Sequence, residues 1–260
     1  MWNVPLFSIA LLLATPVIAT VAPAVAQTQQ QPGGLPSNEQ LDALVAAKKW
    51  NELSDALAEA ANADQFARKL DWLKAKVDAG GGLPLVLAYT QSLWDAGQSN
   101  PSPDPSADPD KDLRVTAAFM LLYTYALIAV DGVKCEDQSA PGHRLDQVLE
   151  MDVPILKFLK ARPRKLKDKL IAGAINYEKF TAPLRKDDDV MCRGGLHEIM
   201  AGLEHGTTHE EPTTTGQAGQ SIAVQAPPDY APQFLAPKAY QPLQVKARSM
   251  LKSNMTVLAR

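Results

Sequence analysis

The chain is poor in cysteine and carries no catalytic signature. Only Cys135 and Cys192 occur in its 260 residues, and no C-x-x-C spacing is present to depress a thiol pKa, so a redox-active pair is set aside. There is no G-x-S-x-G elbow, no G-x-x-x-x-G-K-[ST] phosphate loop and no G-x-G-x-x-G fingerprint. The commonest nucleophilic, phosphate-binding and dinucleotide chemistries therefore have nothing to stand on. No run alternates apolar and polar residues with period two, so almost no sheet is expected. A large excess of one charge sign is lacking too, with 26 Lys and Arg against 29 Asp and Glu. A net charge of −3 gives no global signal for a polyanion, and nucleic acid is not expected as a partner because no aromatic-interleaved basic module is present. No cofactor is expected.

What the chain does contain is one long uncharged run. The sixteen residues Val115 to Val130 carry no charge, so this segment can bury every side of a helix. Asp110 and Asp112 stand before it, where carboxylates accept from free first-turn N–H groups, and Gly132 after Asp131 predicts a left-handed stop. A spanning helix needs roughly 20 apolar residues, with about 17 as the lower limit. The run falls short of that, which favours a buried central helix over a membrane span. The hydroxyls of Thr116, Tyr123, Thr124 and Tyr125 are expected to bond neighbouring helices or backbone.

The first 26 residues read as an export signal. An apolar run from Val4 to Val21 is followed by Ala24-Val25-Ala26, small residues of the kind a signal peptidase reads, and cleavage is expected before Gln27. Met1-Trp2-Asn3 lacks the usual Lys or Arg, and no cysteine follows for lipid attachment. With this leader, and in an oxidising bacterial compartment, Cys135 and Cys192 are expected to form a disulfide.

Periodicity and turn residues divide the remainder. Residues 27–36 are a flexible spacer. Residues 37–97 read as helical hairpins, begun by a Ser37/Gln40 capping box and punctuated by Gly80-Gly81-Gly82 and Pro84. Within them KKWNELSDALAEA resembles tetratricopeptide-type hairpins in style, but no 34-residue period follows. Residues 98–112 are an acidic, Pro-rich linker. Residues 113–205 form a central helical core with the disulfide. In it, Leu166, Leu170, Ala174, Tyr177 and Phe180 share one predicted face, and Asp187-Asp188-Asp189 read as a helix cap. Residues 206–242 are a low-complexity linker, and residues 243–260 a C-terminal amphipathic helix docking through Met250, Leu251 and Met255. The expected fold is all-α: an irregular bundle or stacked hairpins around a buried central helix.

Two clusters are candidate sites. Lys157, Lys160, Arg162, Arg164, Lys165, Lys167 and Lys169 make a basic segment, either a solvated face or a peripheral contact with lipid head groups, envelope polyanions or an acidic partner. His197, His205 and His209 lie among carboxylates, and His205 and His209 have the i, i+4 spacing of two ligands on one helical face. Gly206-Thr207-Thr208 between them is a poor helix, and no zinc-protease motif is completed. By elimination, the expected function is a non-catalytic binding or scaffold role in the bacterial cell envelope, periplasmic or secreted, offering grooves between helices to an envelope protein or small ligand. The rivals are a metal-dependent enzyme built on the three histidines and a membrane-anchored protein with residues 113–133 as its span.

Overall fold

The computed structural model describes residues 34–101, 111–211 and 221–260. The expected leader, its cleavage point, most of the spacer and most of the Pro-rich linker lie outside these residues. The fold is all-α, with ten α-helices and a single two-stranded sheet among the described residues.

Four helices lead in: α1 (Asn38–Ala46), α2 (Trp50–Ala58), α3 (Ala63–Asp78) and α4 (Leu83–Ser99). The Ser37/Gln40 capping box forms as expected. The cap of α3 is Asn62, whose side-chain oxygen accepts from Gln65 N at 2.9 Å. Trp72 is buried and donates its indole N–H to Asp42 Oδ1 at 2.8 Å. Helix α3 therefore packs towards α1 as well as α4, and Phe66 is left half-buried.

The uncharged run is α5 (Leu113–Asp131), capped by Asp112 accepting from Arg114 N at 2.8 Å. Around it pack α4, α6 (Ser139–Met151), α7 (Val153–Lys160), α8 (Arg164–Thr181) and α10 (Pro237–Leu258). Tyr123 is fully buried with its hydroxyl 2.9 Å from Thr181 Oγ1, and Thr124 donates to Met120 O. By length and composition α5 could cross a membrane, yet 67% of its apolar stretch is buried within the chain's own packing. Gly132 is not a left-handed stop. Its φ is −59° and the chain continues into a 3-10 turn, Gly132–Lys134. Its lack of a side chain serves packing, since a Cβ would lie 2.6 Å from Pro141 Cβ.

Pro141 and Gly142 lie in the first turn of α6, as proline tolerates that position. Further expectations are corrected. On α8 the buried face is Leu166, Leu170, Ala174, Glu178 and Thr181, while Phe180 is 60% exposed, because Glu178 has buried cationic partners. The segment read as a low-complexity linker holds strands β1 (Thr207–Glu211) and β2 (Ser221–Gln225), paired antiparallel, and its last residues begin α10. Helix α10 starts six residues before 243 because Pro242 is tolerated within it. Leu251 and Met255 dock as expected, whereas Met250 is exposed.

Candidate ligand-binding cleft

Helices α2, α3 and α4 and the α6–α7 corner enclose a cleft of about 470 Å³. Trp50, Leu53 and Leu57 of α2 and Leu87 and Ala88 of α4 supply apolar walls, and Met151 stands exposed at the rim. This is within the size range of small-molecule sites, which are mostly apolar with a few polar groups. The ionisable side chains lining it are Lys69, Asp95 and Asp152. Asp95 accepts from Gln91 Nε2 at 2.9 Å. Burial lowers the pKa of Lys69, against the opposing pull of Asp95.

Asp152 is different. The residue is only 4% exposed, occupies the cap position of α7, and makes no side-chain capping bond. Burial alone pushes its carboxyl up to about 6, with neither a hydrogen bond nor a neighbouring charge to hold it down. An unpaired carboxylate buried in this way is costly unless something supplies a donor.

A second cleft, about 500 Å³, lies against Gly80, Gly81 and Gly82 at the start of α4. Its half-buried carboxylate, Asp188, is already satisfied. Asp188 accepts from Leu83 N at 2.6 Å and from Val190 N at 3.0 Å, so it caps α4 from 105 residues away as well as its own 3-10 turn. Lys48 and Asp189 pair at the same rim.

The cysteines do bond. Cys135 and Cys192 are both buried, with Cα atoms 5.3 Å apart, and tie the end of the hub to the approach of α9 (Leu196–His205). Residues 233–235 lie across this junction, Glu136 N donating to Gln233 O and Leu235 N to Lys134 O.

The basic segment spans the α7–α8 corner. Lys157, Lys160, Arg164, Lys165 and Lys169 are exposed, while two members turn inward. Arg162 lies over the Phe158 ring at 4.3 Å, and Lys167 donates to Ala259 O at 3.0 Å. The histidines are not gathered on one helix. His197 and His205 are on α9, which ends at His205, and His209 lies in β1 opposite Ala223. The i, i+4 relation is lost because Gly206 adopts extended backbone and the chain turns into a strand. Among the described residues, no three His, Cys, Asp or Glu side chains come together in a metal-binding group. Helix α9 instead exposes Leu196, Ile199, Met200 and Leu203, an apolar stripe at helical spacing.

Asp152 escaped the sequence reading. An Asp two residues before Pro154 at a helix restart reads as an ordinary solvated cap, and nothing local shows that α2 and α4 close over it. Compared with protein-family models, curated proteins and solved structures, the chain matches none.

Proposed function

We propose that this chain is an exported, non-catalytic binding protein of the bacterial cell envelope, with the α2–α4/α6–α7 cleft as its ligand site. The single observation behind the reading is Asp152, a buried residue whose carboxylate has no hydrogen-bond partner among the described residues, on the wall of a mostly apolar cleft. A folded chain retains a group of this kind at a cost in stability, and a ligand that satisfies it offsets the cost. The leader-like first 26 residues and the buried disulfide support export.

Two measurements test this reading. Intact mass of protein from the native envelope fraction is expected to begin at Gln27 and to rise by two hydrogens on reduction. Retention of Met1 with free thiols overturns export. A fragment mixture followed by amide chemical shifts is expected to perturb Ser54, Leu87, Gln91 and Asp152. Shifts confined to other surfaces, or none, overturn the cleft assignment.

A further inference from the structure

We infer that the cleft takes a small organic cation, a protonated amine or guanidinium on an apolar body, with Asp152 receiving the charged head. This deepens the binding-protein reading and rests on it.

Three observations converge. Asp152 is 4% exposed as a residue, and its carboxylate, which lines the cleft, accepts no hydrogen bond from the described residues, so it has acceptor capacity that a ligand can use. The walls around it are the side chains of Trp50, Leu53, Leu57 and Leu87, which suit an aliphatic or aromatic body. The charged groups facing the cleft are Asp152 from the α6–α7 corner, Asp95 from α4 and Lys69 from α3. That set carries one net negative charge when all three are ionised. A neutral apolar ligand would leave Asp152 unpaired, and an anion would meet two carboxylates. A cation removes the unpaired acceptor, and hydrogen bonds to charged groups are the stronger class.

Asp188, half-buried, offers a contrast: its carboxylate has a structural role and is satisfied by backbone donors. Asp188 receives the N–H groups of Leu83 and Val190. Asp152 receives none, although it stands at a helix start where first-turn N–H groups are available.

The experiment is a chemical-shift titration of the 15N-labelled full chain with 2-phenylethylamine, with its neutral analogue 2-phenylethanol, and with Nα-acetyl-lysine methylamide. At pH 8 the aryl amine is expected to shift the amides of Ser54, Ala88, Gln91 and Asp152 and to bind at least tenfold more tightly than the alcohol. Asp152→Asn should remove that preference while the protein stays folded. Ala88→Phe, which fills the cleft and keeps the carboxylate, should abolish binding of both. Lowering the pH to 5, where Lys69 stays charged and Asp152 takes up a proton, should weaken the amine and spare the alcohol. Equal affinity for amine and alcohol overturns the cation assignment and leaves the cleft reading in place. Tighter binding of the acetyl-lysine compound than of the aryl amine overturns the small-molecule assignment in favour of a protein side chain. No cleft shift with any of the three overturns both readings.

Discussion

Arg185 Nε lies 2.5 Å from Asp131 Oδ2, joining the last residue of the hub helix to a segment 54 residues further along. The guanidinium does not stop there. Its Nη2 is 2.8 Å from Glu178 Oε1, and Nη1 donates to Glu178 O and Thr181 Oγ1. Arg248 of α10 reaches the same Glu178 carboxylate at 3.0 Å, and Gln244 donates to Asp131 Oδ1 at 3.2 Å. The Glu178 side chain is fully buried and that of Arg185 is 2% exposed, so α5, α8 and α10 share a desolvated ionic junction.

Removing the central cation leaves Glu178 to Arg248 and Asp131 to Lys134 and Gln244. Arg185→Ala is expected to destabilise by about 3 kcal/mol, the low end of the range for breaking a buried pair from one side, because those partners still compensate part of the charge. Arg185→Lys should rescue little, because a single ammonium cannot reproduce the fork that bridges both acids. Urea unfolding of the three proteins is the measurement, and a loss below about 1 kcal/mol for the alanine variant would show the junction to be dispensable.

The disulfide closes a separation of 57 residues between two buried cysteines. Opening it is expected to cost about 4 kcal/mol in the chain-entropy model. Reduction of the wild type and the Cys135→Ala/Cys192→Ala double variant should lower the urea midpoint by similar amounts. If reductant has no effect on a protein whose thiols are shown to have been reduced, the cross-link adds nothing to the fold.

Much of this architecture was legible because it follows local rules. The uncharged run of α5, the Ser37/Gln40 box and the pairing of the cysteines each depend on residues close in sequence or on simple counting. What escaped depends on long-range partners. Glu178 on the buried face of α8 looks misplaced until Arg185 and Arg248 are seen around it. Phe180 belongs to an apolar pattern that the same ion network displaces outward. The β1–β2 hairpin arises from residues with few apolar side chains and no clear alternation. The cleft was invisible for the same reason, since its walls come from residues 50 to 152 and only the packing brings Asp152 beneath them.

Two glycines give opposite expectations for the same substitution. Gly80 has φ 83°, and an added Cβ would lie 2.6 Å from the Leu184 carbonyl carbon. Gly80→Ala is therefore both conformationally strained and sterically blocked by backbone, and should cost more than about 1 kcal/mol. Gly142 lies exposed in α6, with nothing within 4 Å of the new atom. Gly142→Ala should stabilise by about 0.5–1 kcal/mol, since alanine is the better helix former. Thermal melts of the pair test the backbone placement, and equal shifts of one sign would contradict it.

Asp152 sets a pH signature that a stability measurement can read without any ligand. Its carboxyl is raised from 3.8 to about 6 by burial. Well below pH 4, by about pH 3, the group is protonated in folded and unfolded chains alike and contributes almost nothing to the difference between them. Between about 4 and 6 the unfolded chain ionises while the folded chain keeps its proton, so stability falls as pH rises. Above about 6 both forms are ionised and the full penalty remains, of the order of 3 kcal/mol for a shift of this size. Asn cannot ionise, and no capping bond of Asp152 is lost on replacement. Asp152→Asn is therefore expected to match the wild type near pH 3, to differ from it only slightly at pH 4, and to exceed its unfolding free energy progressively up to pH 7. Other carboxylates titrate in the same range, so the informative quantity is the difference between the two proteins at each pH. A difference that stays flat from pH 4 to 7 would mean the carboxylate is solvated in the folded chain, and would remove the unpaired charge on which the cleft's cation preference is built.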